Sequence, residues 1–236
     1  AVVWDDQGRQ YVDMYAGIAV NVLGHAHPAV VEAVSTQVAT LGHVSNLFAS
    51  VPAVTLAERL LELAGRPGRV FFCNSGAEAN EAAFKMARRT GRTKIVSTLG
   101  AFHGRTMATL TATGQERFHN YFFPFVEGFR FAEANSMDSL KETAGDDTCA
   151  VMMELVQGEG GVLPLDQEYV SAVAKLCAEK DWLLLVDEVQ TGVGRTGSLF
   201  AFQQYGILPD VCSFAKGIAG GLPMSGIMAN EKCRNV

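Results

Sequence analysis

From residue 69 onward, short apolar runs alternate with helical stretches, and this alternation constrains the fold more than any other feature. Helices are predicted at residues 77–90 and 166–180, and surface connections at 114–128 and 133–147. Six runs are predicted to be strands: RVFFC, TKIVST, CAVMMELV, WLLLVDEV, DVCSFA and SGIMA. Strands covered on both faces read as continuous apolar runs. The pattern therefore predicts an α/β fold in which helices sandwich a mainly parallel sheet.

The first part of the chain has a different organisation. The stretch VVWDDQGRQYVDM contains two β-rich runs around a polar turn and predicts a hairpin. Residues 28–41 and 52–64 show helical periodicity, and each stretch has a proline in its first turn. We expect residues 1–50 to form part of a small domain and its linker, and residues 51–236 to form a large domain.

Charge and hydropathy exclude several classes of partner. The net charge is -6, the pI is about 5.4, and no basic run is longer than RR. A nucleic acid or an anionic membrane is therefore not the expected partner. No apolar run reaches the length of a membrane-spanning helix. A small-molecule enzyme fits this composition better.

Cysteine and histidine spacing give no sign of a metal site. The five cysteines are scattered and never form a C-x-x-C pair, so neither a disulfide framework nor a zinc site is indicated. His25 and His27 have no cysteine or carboxylate cluster beside them. We expect no metal and a reducing, cytoplasmic compartment.

The stretch SFAKGIAGG places Lys216 between an apolar run and small residues. Most lysines are solvated surface charges. A lysine held in apolar surroundings is instead partly desolvated, which favours its neutral, nucleophilic amine. Schiff-base chemistry is one use of such an amine, and the local sequence leaves both interpretations open.

The stretch FFCNSGAEANEAA takes a strand into a helix, with Ser75 and Glu78 at capping-box spacing. It predicts either an ordinary capped helix or an anion site. The second interpretation depends on the backbone N–H groups of Gly76 and Ala77. The helix dipole would attract a phosphate to them, and the small residues would let it approach closely.

The stretch WLLLVDEVQTGVGRTG raises two questions. Asp187 ends an apolar strand, so it is either a structural partner or the counter-ion of a cationic group. Strand alternation puts Val189 on the same face and Glu188 on the other. GVGRTG matches a dinucleotide fingerprint, but DEVQT separates it from the strand and no acidic residue follows about twenty positions later. A nicotinamide enzyme stays an alternative.

The stretch GAFHGRTMATL places Phe102 and Arg105 around a glycine after a strand. An aromatic residue there is usually part of a core, and an arginine is usually solvated. The pair would alternatively provide a flat stacking surface and a fork for a carboxylate.

The motifs taken in order resemble one family. NSGAEAN, AFHGRT, ELVQGEGG, LLLVDEVQTGVGRTG and SFAKGIAGGLP, with GIAVNVLGHAHP upstream, are similar to the class III, ornithine-type, pyridoxal-phosphate aminotransferases. The resemblance implies a fold-type I transferase in which residues 51–236 form the cofactor-binding domain. The family continues past Val236 with segments that complete the site, so we expect this chain to be a fragment, incomplete at its C-terminal end.

The resemblance also assigns roles to the residues that hold the cofactor. Gly76 and Ala77 match the pair whose N–H groups bind its phosphate. Phe102 matches the ring stacked on one side of the pyridine, and Val189 the residue packed on the other. Asp187 matches the carboxylate that faces the pyridine nitrogen.

Four further positions match residues that take part in the reaction. Lys216 matches the lysine that forms the aldimine with pyridoxal phosphate. Gln190 matches the group near the phenolic oxygen of the cofactor, and Arg105 the residue that binds the substrate α-carboxylate. Glu159 matches a glutamate that, in relatives, pairs with an arginine near the C-terminus and moves aside for a 2-oxo acid.

The function implied is transfer of the ω-amino group of N-acetylornithine, or a similar donor, to 2-oxoglutarate. A homodimer in the cytoplasm and a role in arginine and other amino-acid biosynthesis are implied with it. Ornithine, succinylornithine and 4-aminobutyrate stay open as donors. A nicotinamide-dependent dehydrogenase and a non-catalytic binding module are the alternatives from other classes.

Overall fold

The computed structural model describes residues 1–45, 47–65 and 67–233, so the last three residues of the expected large domain lie outside it. Its helices are α1 (Ala16–Ala19), α2 (Pro28–Thr40), α3 (Val51–Ala64), α4 (Gly76–Arg88), α5 (Met107–Ala112), α6 (Met137–Thr143), α7 (Gln167–Lys180) and α8 (Ala201–Gln204). Short 3-10 turns lie at Glu116–Phe118, Lys216–Ile218 and Glu231–Cys233. Its strands are β1 (Val2–Trp4), β2 (Gln10–Val12), β3 (Arg69–Cys73), β4 (Lys94–Thr98), β5 (Phe129–Ala132), β6 (Thr148–Met153), β7 (Val156–Gln157), β8 (Leu163–Pro164), β9 (Leu183–Asp187), β10 (Val211–Phe214) and β11 (Ser225–Ala229).

A seven-stranded sheet in the order β3-β11-β10-β9-β6-β4-β5 organises the described part of the chain. Neighbouring strands from β10 to β5 are parallel, whereas β11 runs antiparallel to both β10 and β3. The prediction of a mainly parallel sheet is confirmed. The carboxyl ends of β3, β4, β6, β9 and β10 therefore meet at one edge, where ligands bind in folds of this kind.

Helices cover both faces of this sheet, and β9 shows why. Leu184 and Val186 belong to one buried cluster, which includes residues of α7, while Leu183 and Leu185 belong to a second cluster with residues of α4. Successive strand residues point to opposite faces, so a continuous apolar run fills two cores at once. This is the physical basis of the sequence pattern from residue 69 onward.

The structure adds elements that the sequence pattern did not predict, among them the strand β5 and the helix α6. The strand β5 forms the edge of the sheet beside β4, and residues 133–147 are not simply a surface connection, because α6 lies within them. The side chain of Ser136 accepts the N–H of Ser139 and starts this helix, and Leu140 anchors it in the core. Both elements are too short to show a clear hydrophobic period.

The N-terminal elements agree with the prediction. β1 and β2 pair antiparallel, with Val2 opposite Val12, and helices α2 and α3 fall within one residue of their expected bounds. The helix α2 has no buried residue, and its Val31 and Val38 are 50% and 70% exposed. No helix among the described residues combines the length and apolar character that crossing a membrane requires.

Candidate active site

A cavity of about 360 Å³ opens at the carboxyl edge of the sheet. Eight of the nine predicted site residues line it: Gly76, Ala77, Phe102, Glu159, Asp187, Val189, Gln190 and Lys216. The strand ends of β3, β4, β9 and β10, and the segment after β7, each contribute to this set. The exception is Arg105, which lies beside the cavity rather than in its lining.

The N-terminus of α4 forms one wall of the cavity. Ser75 is the N-cap, and its side chain accepts the N–H of Glu78 at 3.2 Å. The predicted capping box is incomplete, because the carboxylate of Glu78 accepts the N–H groups of Asn74 instead of that of Ser75. The first N–H groups of a helix have no partner within it, so those of Gly76 and Ala77 are available at the cavity wall.

Gly76 allows a close approach that a side chain would prevent. A Cβ atom at this position would lie 2.8 Å from Cγ1 of Val189. The absence of that atom lets the Val189 side chain pack against the start of α4. An apolar surface and a row of N–H donors therefore adjoin in one small space.

Asp187 is 4% exposed and accepts hydrogen bonds at both oxygens. Oδ2 accepts the Asn80 amide at 2.8 Å and contacts Nδ1 of His103 at 2.7 Å. Oδ1 accepts the N–H of Val189 at 3.0 Å and the hydroxyl of Ser213 at 3.4 Å. Because an ionised carboxylate accepts but does not donate, Nδ1 of His103 carries the hydrogen. The network fixes a negative charge at the floor of the cavity.

His103 and Asn80 are site residues to which the sequence analysis gave no role. Both are buried, and Nε2 of His103 and Oδ1 of Asn80 have no partner in the described part of the chain. His103 lies next to Phe102 in AFHGRT, so its position in that motif was the available signal. Asn80 follows the anion-site motif by one helical turn, which places it on the cavity side of α4.

Glu154 is a second buried carboxyl group that sequence reasoning missed. Its Oε2 accepts the N–H of Phe102 at 2.8 Å, so it fixes the backbone that carries the stacking ring. Burial raises the pKa of Glu154 to about 7, and the charge of Asp187 adds to this while His103 opposes it. Glu154 therefore exchanges a proton near neutral pH.

Lys216 enters the cavity from the end of β10 with a left-handed backbone, at φ 45°. Burial lowers its pKa, and the carboxylates of Asp187, Glu154 and Glu159 oppose this shift. A lowered pKa increases the fraction of neutral amine, as the apolar run before Lys216 suggested. The structure thus supports the nucleophilic interpretation of this lysine over a fully solvated one.

Gln190 and Glu159 also line the cavity. A Cβ atom at Gly158 would overlap the side-chain amide of Gln190, so this glycine makes room for it. Glu159, the next residue, lines the cavity and faces Lys216. The QGEGG stretch therefore supplies the carboxylate of Glu159 and, at Gly158, the space that the Gln190 side chain occupies.

The dinucleotide interpretation of GVGRTG is not supported by the local structure. That motif requires a helix N-terminus that is free to bind a pyrophosphate. Here only the four-residue α8 follows, and the carboxylate of Glu188 accepts the N–H groups of Ala201 and Phe202 at its start. Glu188 also accepts the hydroxyl of Thr191, which confirms its structural role on the face opposite Asp187.

His25 has a local structural role. Its Nε2 lies 2.7 Å from Oδ2 of Asp13, whose other oxygen accepts the N–H groups of Tyr15 and Ala16. In the ranges 1–45, 47–65 and 67–233, no group of three or more metal-ligating side chains is found.

The lining chemistry fits pyridoxal phosphate, the cofactor that the resemblance implies. Phe102 and Val189 provide an aromatic and an apolar surface for a flat ring, and the start of α4 provides N–H donors for a phosphate. Asp187 supplies a carboxylate for a protonated ring nitrogen, and Lys216 an amine for an aldehyde. Each part of the cofactor thus has a matching group.

Comparison with known proteins gives consistent results. The family description "Aminotransferase class-III" matches residues 1–236. Acetylornithine aminotransferase from Caldanaerobacter subterraneus subsp. tengcongensis is 49% identical over 236 residues, covering 97% of this chain and 60% of the relative. The chain therefore spans about 60% of the length of that relative.

Solved structures share the fold closely. N-acetylornithine aminotransferase from Stenotrophomonas maltophilia has a TM-score of 0.86 and 41% identity, with 99% of this chain and 61% of that chain covered. Ornithine aminotransferase from Toxoplasma gondii, described with PLP partially occupying its active site, has a TM-score of 0.94 and 31% identity. The match covers 100% of this chain and 58% of that chain.

Proposed function

The chain belongs to the class-III aminotransferases, and from this premise we propose that the full-length protein is an acetylornithine aminotransferase. It would transfer the ω-amino group of N-acetylornithine to 2-oxoglutarate with pyridoxal phosphate as cofactor. The observation that carries the proposal is the placement of Lys216 and Asp187 in one cavity beside the start of α4. The acetylornithine aminotransferases among the relatives support this choice of donor.

The residues of the cavity would hold the cofactor in one orientation. The N–H groups of Gly76 and Ala77 bind the phosphate, while Phe102 and Val189 enclose the ring. Asp187 keeps a proton on the pyridine nitrogen, because its buried charge would otherwise lack a cationic partner. When bound, the cofactor supplies an aldehyde carbon and an electron-withdrawing ring.

Lys216 would have two tasks in the reaction. Its Nζ would hold the cofactor at the aldehyde carbon, and the lowered pKa makes the neutral amine available for this. The same Nζ would also accept the proton that leaves the substrate carbon and hold it as an ammonium group. Gln190 orients the phenolic oxygen. The chain would therefore hold the cofactor ring, place a carboxylate at its nitrogen and provide a mobile base.

Arg105 and Glu159 would select the substrates. We assign Arg105 to the α-carboxylate of the donor, since its guanidinium lies next to Phe102 at the side of the cavity. We assign Glu159 the role of the glutamate that, in relatives, pairs with an arginine near the C-terminus and moves aside for the carboxylate of the 2-oxo acid. Ornithine is the second candidate donor, because an ornithine aminotransferase shares the fold at a TM-score of 0.94.

Assembly and location form part of the same proposal. Exposed apolar residues in the N-terminal region, including Trp4, Val38, Leu47 and Phe48, support a homodimer of the full-length protein. We place that protein in the cytoplasm and in arginine biosynthesis. The division into residues 1–50 and 51–236 belongs to this proposal as well.

A single labelling experiment tests the central assignment. The full-length protein is reduced with borohydride in the presence of pyridoxal phosphate and digested, and its labelled peptide is identified. We expect the label on Lys216, complete loss of turnover in Lys216→Ala, and normal turnover in the control Lys175→Ala. A label on Lys175 or Lys232 would refute the assignment. A donor series of N-acetylornithine, ornithine, succinylornithine and 4-aminobutyrate then identifies the preferred substrate.

A further inference from the structure

Phe118 lies at the centre of a cluster beside the active-site cavity. Its ring centroid is 5.3 Å from that of Phe102, at an interplanar angle of 66°. The Cζ atom of Arg105 lies 4.8 Å from the Phe118 centroid and 5.5 Å from the Phe102 centroid. The Cζ atom of Arg117 lies 4.7 Å from the Phe118 centroid. One ring thus contacts the ring that lines the cavity and two guanidinium groups.

Arg105 depends on these rings for its position. Its side chain is exposed, and within residues 1–45, 47–65 and 67–233 it makes no ion pair with a carboxylate. A guanidinium within about 6 Å of a ring centroid is attracted to the ring face. The two phenyl rings therefore hold the group in place and leave its N–H fork unpaired.

The segment that carries Phe118 is fixed at both ends of its short turn. The side-chain amide of Gln115 donates to the carbonyl of Gly100, on the loop that leads to Phe102. The guanidinium of Arg117 donates to the carbonyl of Glu159 at 3.2 Å. The Glu116–Phe118 turn therefore connects the loop that leads to Phe102 with Glu159, which lines the cavity.

We propose that Phe118 is a positioning residue that holds the Arg105 fork toward the carboxylate of the amino donor. This inference rests on the proposed function and adds a specificity determinant to it. A bidentate contact needs a guanidinium with a defined plane, and an unsupported exposed side chain would lose conformational entropy on binding. The Phe118 ring removes much of that loss before the substrate arrives.

The test compares two donors in Phe118→Leu, which removes the ring face and keeps an apolar side chain. Half-reactions of the full-length enzyme are followed by cofactor absorbance, with N-acetylornithine and with a simple primary alkylamine. We expect the apparent Kd of N-acetylornithine to rise about two- to fivefold, as the loss of one exposed cation-π contact implies. The limiting rate, the alkylamine reaction and the cofactor Kd should stay unchanged.

Two further variants serve as controls. Phe118→Tyr keeps the ring and should bind N-acetylornithine like the wild type. Phe123→Leu removes an exposed aromatic ring from the same segment, one that contacts Phe125, and should have no effect. If Phe118→Leu folds poorly, Phe118→Met replaces it in the same comparison.

The outcomes separate this inference from the proposed function. Arg105→Ala should lower kcat/KM for N-acetylornithine by roughly tenfold to a hundredfold, and Phe118→Leu should add nothing to it. If Arg105→Ala is donor-selective and Phe118→Leu is not, the positioning role is wrong while the substrate role of Arg105 stands. Equal losses with both donors, together with a weaker cofactor Kd, would show that Phe118 only supports Phe102. Labelling of Lys216 is independent of either result.

Discussion

Among single residues, Asp187 has the most extensive set of contacts in the cavity, because both of its oxygens accept hydrogen bonds. The sequence identified Asp187 because a carboxylate at the end of an apolar strand needs a partner. It did not identify Asn80 and His103, which lie 107 and 84 positions away along the chain. Such partners meet only through the fold, so no local pattern points to them. Lys216, Gly76 and Phe102 were named in advance because each lies in a motif that resembles the family, whereas the local chemistry alone left two interpretations open for each.

Asp187→Asn tests that network. The amide keeps the shape of the side chain, but its NH2 group cannot accept the hydrogen bonds that one carboxylate oxygen accepts, and it cannot keep a proton on the pyridine nitrogen. We expect kcat to fall by about 10²–10³-fold while cofactor binding persists, in line with other preorganised charges. Steady-state kinetics and a cofactor titration of the full-length enzyme measure both. An unchanged kcat would remove Asp187 from this role.

Glu154 gives the site a predictable pH dependence. The folded protein binds a proton at Glu154 below a pKa of about 7, whereas the unfolded chain binds it only below the ordinary value of 4.5. Glu154 therefore contributes to the free energy of unfolding of the cofactor-free protein at pH values below 4.5. This contribution is lost as the pH rises from 4.5 to about 7. Glu154→Gln, which cannot ionise, should escape the loss.

The measurement is the melting temperature of the wild type and of Glu154→Gln at about pH 8 and about pH 5. We expect the variant to be more stable at the higher pH, by on the order of 1–3 kcal/mol, and equal to the wild type at the lower. Glu58→Gln, at an exposed position of α3, is the control. The same difference at both values would mean that Glu154 does not titrate in this window.

At the scale of elements, strand ends and helix starts place the chemistry. The long apolar runs and the proline-started helices were predictable, because each has a clear period and a terminal signal. The strand β5 and the helix α6 were not, since four and seven residues give too little pattern. The missing half of the capping box at α4 has a different cause. Glu78 reaches Asn74 because the tight turn after β3 brings both its N–H groups within range.

Gly76→Ala separates the stability of α4 from its function. Alanine favours the helix by up to about 1 kcal/mol, so the cofactor-free protein should be no less stable. Its Cβ atom would meet Val189 at 2.8 Å and push that side chain toward the ring site. We expect the Kd of pyridoxal phosphate to rise about tenfold or more, by fluorescence titration. Gly76→Ala with Val189→Ala should recover part of the affinity, and a wild-type Kd for the single variant would contradict the close-packing argument.

At the scale of the whole molecule, the apolar surface of the N-terminal region needs a cover. Val38 of α2 is 70% exposed, and none of the residues of that helix is buried. The described residues thus form a sheet with two buried clusters but leave apolar surface exposed in the N-terminal region. In the full-length protein, we expect a partner subunit or a further part of the chain to lie on α2.

Val38→Asp tests this cover. A charge at a position that stays exposed has little effect on the free energy of unfolding. At a buried apolar position it removes the stabilisation from the buried valine and adds the cost of burying a charge. We expect the free energy of unfolding of the full-length protein to fall by at least about 2 kcal/mol. Ser35→Asp, a polar and exposed position of the same helix, is the control. Equal melting temperatures for both variants would mean that α2 faces solvent.

The formation of the cavity during synthesis also depends on the antiparallel strand β11. It pairs with β3, and the hydroxyl of Ser225 donates to the carbonyl of Ser75 across 150 positions of the chain. Until the ribosome has released residues 225–229, β3 lacks the strand with which it pairs in the described part of the chain, and its edge is open to wrong pairing. Contacts of such long range form slowly. A nascent chain that stalls between β10 and β11 therefore carries Lys216 before the end of β3, which leads into Ser75 and α4, is fixed in the sheet.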